Sequence, residues 1–205
     1  EILLRSKQEN NPAQQVKSAL ALFRLDVRFG EDGMAVALPA FEKEARKAQF
    51  PARQILLSLL GEFYGDYISN NLYLLSDRTD ISGVQPDDLQ SRSLADLTRS
   101  TLDAFEESIA AEESWDFPLD YFDAVLETYP TSDYLFPSLG DFLTFRAIDY
   151  FRNERYYLTD PTYAFVPNQR ELFADAADFT AFAFPARDST SYKLKTLQLF
   201  QRYLG

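Results

Sequence analysis

The stretch PSLGDFLTFRAIDYFRNE, residues 137–154, decides how the rest of the chain is read. Ser138 has the chemistry of a helix N-cap, and Asp141 stands three residues on, where a capping-box carboxylate returns the bond. Leu139, Phe142, Leu143, Ala147, Ile148, Tyr150 and Phe151 follow. They cover more than the usual apolar stripe, which predicts a helix contacted from more than one side and central to the fold. Arg146 and Asp149 lie within that surface at i,i+3, so we expect a buried ion pair, with a partner on a neighbouring helix as the other option for Arg146.

Toward the N-terminus the same helical spacing recurs. Asn11-Pro12 is an N-cap followed by proline at the first helical position, and Val16, Ala19, Leu20, Phe23 and Val27 continue the pattern to about Phe29. After the turn at residues 30–33, Met34, Leu38, Phe41, Ala45 and Ala48 mark a second helix antiparallel to the first, which Pro39 must kink unless it lies in the first turn. Phe50-Pro51 stops it. The next helix has the clearest periodicity in the chain, with Ile55, Leu59, Phe63 and Tyr67 beside Leu56, Leu60, Tyr64 and Ile68 in two i,i+4 columns. Gly61 and Gly65 share a third column, at about 1 kcal/mol each against alanine in a helix interior. They predict a close-packing notch for a crossing helix, or else the approach of a ligand or partner.

Residues 70–88, rich in Asn, Asp, Ser, Gly and Pro, read as a long connection closing a first helical block over 12–75. A second block, 89–205, begins with a helix through Leu94, Leu97, Thr101, Leu102, Phe105 and Ile109, exposed along Glu106, Glu107, Glu112 and Glu113. A short helix over 119–127 is expected before residues 137–154. Beyond them come a helical stretch at 169–182, broken near Ala174, and a last helix at 191–204 with Leu194, Leu197, Phe200 and Tyr203 inward. The fold class is all-α: antiparallel helical hairpins in a TPR-like solenoid or an irregular bundle, forming one helical domain over 1–205.

Composition narrows the chemistry. The 205 residues include no histidine and no cysteine, which removes His-based acid–base catalysis, Ser-His and Cys-His nucleophiles, and the common zinc and haem ligand sets. A net charge of −12 disfavours nucleic acid as a partner, and no basic stripe is evident to offset it. No apolar run approaches the length of a membrane span, so no direct membrane insertion is expected. The only methionine is Met34, and we expect the chain to be a fragment of a larger protein.

The acidic pairs Asp87-Asp88, Glu106-Glu107 and Glu112-Glu113 are sequence neighbours, whereas a hydrolase needs carboxylates facing each other across a cleft. The turns at residues 30–33 and 77–80 lack calcium-loop spacing, and no phosphate or dinucleotide glycine motif occurs. No catalytic residue, cofactor or metal site is therefore expected. Aromatic density in residues 115–136 and 156–165 remains. Trp115, Tyr121, Tyr134, Tyr156 and Tyr157 are candidates for an interaction surface, with burial as loop clamps the competing reading.

Two segments resemble a known family. ILLSLLGEFYGDYISNNLYLLSDRT, residues 55–79, and PSLGDFLTFRAIDYFRNE, followed by LTDPTYAF and a Phe/Ala-rich helix leading to SYKLKTLQLFQRYL, are similar to the N-terminal helical region of large bacterial alpha-2-macroglobulin-like envelope proteins. The resemblance spans most of the chain and rests on aromatic patterning with Arg146, Asp149, Asn153 and Glu154. It implies a helical module ahead of β-sandwich domains in an exported protein of a Gram-negative bacterium, periplasmic or surface-attached, whose parent is of the protease-inhibitor type. The cysteine that a thioester needs is absent here, so no residue of that trapping mechanism carries over. The expected function is a non-enzymatic interaction or scaffold module contacting its own downstream domains or another envelope protein. The alternative is a helical carbohydrate- or peptide-binding domain using the aromatic loops.

Overall fold

In the computed structural model, residues 1–30, 33–76, 88–126, 136–153, 165–185 and 191–205 are described. The fold is all-α, with eight α-helices among these residues and short 3-10 turns between some of them. The chain divides into two compact units, Glu1–Leu143 and Thr144–Gly205.

In the first unit, α1 (Ile2–Gln8) is a short helix that the sequence did not announce. The chain then turns at Asn10, whose φ is +48°. Asn11 caps α2 (Pro12–Phe29), its side chain accepting the Gln14 N–H at 3.0 Å. α3 (Met34–Lys47) packs on α2 and carries Pro39 in its interior, past the first turn, so the Ala35 carbonyl lacks its helical N–H partner.

α4 (Ala52–Ser76) is buried almost all round as far as Ile68 and packs against α2, α3 and then α5 (Leu94–Ser108). A helix apolar on every side has to be surrounded. It, rather than residues 137–154, is therefore the hub of this unit. Phe23, Phe41 and Phe63 lock α2, α3 and α4 together, with Phe23 and Phe63 stacked at 4.0 Å and Phe41 edge-on to Phe63 at 5.1 Å.

The polar run expected to begin a connection at residue 70 is instead helical to Ser76. Ser69 donates to the Gly65 carbonyl at 2.9 Å and Asn71 to that of Tyr67 at 2.8 Å, so these side chains bond back onto their own helix. α5 packs along α4, and the compact units divide at Leu143 and Thr144. α5 starts at a full capping box, in which Ser93 accepts the Asp96 N–H at 3.1 Å while the Asp96 carboxylate takes the Ser93 N–H and O–H.

Two 3-10 turns, Glu112–Trp115 and Leu119–Phe122, lead toward α6 (Leu139–Phe151). The second stands where a short helix over 119–127 is expected, and beyond it the N–H groups of Val125 and Leu126 both return to the Phe122 carbonyl; residue 127 lies outside the described residues. α6 begins at the expected box: Ser138 accepts the Asp141 N–H at 3.1 Å and donates to its carboxylate at 2.6 Å. It runs across the division between the units.

In the second unit the helical stretch at 169–182 breaks where expected. A 3-10 turn, Arg170–Phe173, ends at Ala174, and Asp175 then caps α7 (Ala176–Ala181). α8 (Tyr192–Leu204), capped by Ser191, packs on α7, and Gln201 donates to the carbonyls of Phe179 and Phe182 at 2.7 Å each. Leu194 is buried as expected and Leu199 with it, whereas Leu197, Phe200 and Tyr203 are half-buried.

Candidate interaction surface

Gly61 is the notch its column predicted. A Cβ built there would lie 2.6 Å from Cδ2 of Phe105, so the ring of α5 occupies the space an alanine methyl would need. Gly65 is buried on the same helix. This is a helix-crossing contact within the first unit.

Trp115 is half-buried and acts as a clamp. Its indole lies against Gly140, where a Cβ would come within 2.8 Å of Cδ2, so the start of α6 is fitted to the ring. Tyr121 behaves differently: it is 47% exposed. Its ring is held edge-on by Phe117 at 5.3 Å and Phe122 at 5.4 Å, and Phe117 in turn meets Phe50 at 5.3 Å. A ring fixed from behind and open in front loses little side-chain freedom on contact with a partner. Tyr134, Tyr156 and Tyr157 lie outside the described residues.

Tyr121, Ala124 and Val125 form one wall of an open cleft of about 420 Å³. The opposite wall comes from the α1–α2 turn and the first turns of α2, with Asn10, Asn11, Gln14 and Lys17. One exposed phenol thus faces amides, an ammonium group and the Glu9 carboxylate. Such a mixture suits a polar polypeptide or a sugar better than an apolar small molecule.

The buried ion pair expected within α6 is corrected. The Asp149 carboxylate is 71% exposed and pairs with Arg152 at 2.6 Å, because the i,i+3 row through Asp149 points outward. Arg146 is half-buried.

The main ionic feature lies elsewhere. Glu42 of α3 accepts from Tyr64 at 2.6 Å, from Arg92 at 3.0 Å and from Arg46 at 3.1 Å, while Arg92 also donates to the Tyr64 oxygen at 2.7 Å. Arg46 continues to Glu107 of α5 at 2.9 Å, where Arg53 of α4 pairs with the other oxygen at 2.9 Å. Burial alone would raise the Glu42 carboxyl, but the Tyr64 hydrogen bond and the two guanidiniums outweigh it and hold it below its ordinary value. Burial, then the neighbouring Glu42 charge, pushes the Tyr64 phenol up. These carboxylates cross-link α3, α4 and α5, and Glu107 does so from a side chain that stays 37% exposed.

Asp66 is the reverse case. Burial first, and Glu62 one turn before it second, raise its carboxyl. A raised acid is a cost that is absent below the unfolded value and complete above the folded one. Asp66→Asn is therefore expected to raise the Tm at neutral pH and to give no gain in strong acid. Parallel thermal melts at the two pH values check this.

No family model, curated protein or solved structure matches the chain. No helix among the described residues is long and apolar enough to cross a membrane.

Proposed function

We propose that this chain is a non-enzymatic helical module that docks a protein partner, either downstream domains of its own parent or a second envelope protein. The observation that carries the reading is the fixed, outward-facing Tyr121 on the rim of a polar cleft. The carboxylates of Glu42, mostly buried, and Glu107, partly exposed, support it, since both are engaged in holding helices together. Placement in an exported, periplasmic or surface-attached parent of alpha-2-macroglobulin type rests on the sequence resemblance alone and is part of the proposal.

The test is a pull-down with the immobilised chain from detergent-solubilised envelope extract of the organism that makes it. One saturable partner is expected, lost with Tyr121→Ala. Recovery of nothing above control overturns docking to a separate protein and leaves contacts within the parent chain.

A second reading, a carbohydrate- or peptide-binding domain, is favoured by the amides of Asn10, Asn11 and Gln14 across from the Tyr121 ring. It predicts saturable binding of an oligosaccharide or short peptide in calorimetric titration. Tyr121→Ala should lower that affinity about tenfold or more, the scale of a lost aromatic anchor.

A further inference from the structure

The charge of the chain is strongly divided. Residues 1–53 hold nine Arg and Lys against seven Asp and Glu, whereas residues 54–205 hold eleven against twenty-five. Three of the nine cations lie on the exposed face of α2, which also carries Asp26 beyond its apolar flank. Lys17, Arg24 and Arg28, at i, i+7 and i+11, form a row along that face, exposed and without an ion pair among the described residues. Beside the row lie Leu25 and Phe29, one helical turn apart and also exposed, Phe29 at 72%, with the Arg28 guanidinium over its ring at 5.3 Å. The result is a convex ridge, apolar on one flank and cationic on the other.

The second unit carries the complement. The turn Arg170–Phe173 and α7 border an open cleft of about 710 Å³, with apolar surface from Phe173, Ala174, Ala181 and Phe182 and carboxylates from Glu171, Asp175 and Asp178. Arg170 is the one cation in its lining. Phe173 is 89% exposed and Phe182 half-buried, so the cleft presents two rings beside its carboxylates.

We propose that the chain associates with further copies of itself, the α2 ridge of one copy seated in the acidic cleft at Phe173 and α7 of the next. Leu25 and Phe29 then meet Phe173 and Phe182, while Arg24 and Arg28 meet Glu171 and Asp178, so apolar area is buried and opposite charges are paired at the rim. An anionic membrane is the weaker occupant, because Glu31 and Asp32 directly follow the ridge and the chain as a whole carries −12. Two different faces make a head-to-tail contact, which leaves a free face at each end and grows beyond a dimer unless it closes as a ring. This stands independently of the Tyr121 docking reading, which a monomeric chain would leave intact.

Sedimentation velocity over a wide concentration range tests the proposal, with circular dichroism confirming that each variant is folded. At low ionic strength the average mass is expected to rise with concentration. Salt at about 0.5 M, where screening acts within roughly 5 Å, should lower it. Arg24→Glu with Arg28→Glu should weaken association at least about tenfold, as should Glu171→Lys with Asp178→Lys, a loss on the scale of desolvated interface charges. Mixing the two reversed variants should restore it, because each then offers the other both complementary pairs. A monomer at every concentration, or association indifferent to both reversals, overturns the proposal. So does wild-type binding to phosphatidylglycerol vesicles that is lost in the Arg24/Arg28 variant while the protein alone stays monomeric.

Discussion

Glu42→Ala is expected to destabilise the protein by about 3 kcal/mol, the scale on which removing one partner of a largely buried ion pair acts. Its side chain is only 16% exposed, as is fitting for a group that satisfies Tyr64, Arg92 and Arg46 at once. Without it the Arg92 guanidinium, also mostly buried, keeps the Tyr64 oxygen but loses the Glu42 carboxylate. The pH dependence has a definite sign. The folded-state Glu42 pKa is lowered, so its contribution is complete above the ordinary carboxylate value of 4.5 and is lost as pH falls through the lowered one. Urea unfolding should therefore show the full wild-type advantage at neutral pH and little of it in strong acid. A double replacement, Glu42→Leu with Arg92→Met, should cost less than Glu42→Ala alone, because the mostly buried guanidinium that faces Glu42 is then removed together with it.

Gly61→Leu is expected to cost about 3 kcal/mol or more. The first added atom already falls 2.6 Å and 2.7 Å from two carbons of the Phe105 ring, and that ring is only 2% exposed, so it has nowhere to retreat without parting α4 from α5. Gly61→Ala separates two effects. Helix propensity favours alanine by about 1 kcal/mol, yet overpacking on this scale costs about 1–3 kcal/mol, and we expect a net loss. Combining Gly61→Ala with Phe105→Leu should be milder than the sum of the single changes, since the smaller side chain vacates the space the methyl needs. Chemical denaturation of the four proteins measures this coupling directly.

What could be read from the sequence follows how local each signal was. The Ser138–Asp141 box, the Asn11-Pro12 start and the break near Ala174 depend on residues within a few positions of one another, and each is present. The Gly61 notch was legible because a glycine amid two apolar columns has few other uses. By contrast, Glu42 and Arg92 are 50 residues apart, and Arg46 and Glu107 are 61 apart. Only the Glu42–Arg46 step within α3 left an i,i+4 trace, so the network could not be assembled before the helices were. α1 was missed because a seven-residue helix has too few turns for a period to show. Helix direction explains Asp149, an acidic residue in an apolar run whose row faces outward beside Arg152. Among the candidate aromatics, sequence offered no means of separating Trp115, fitted against Gly140, from Tyr121, which stays open.

Site-specific photocrosslinking decides whether the Tyr121 cleft docks a protein. A photoreactive phenylalanine analogue would replace Tyr121 in one protein and Tyr73, which is 83% exposed on α4 and serves as the control, in another. Both would be irradiated in envelope extract of the source organism. The account predicts one protein crosslinked in a saturable manner from position 121 and absent from position 73. No adduct from position 121, or the same adducts from both positions, would contradict it.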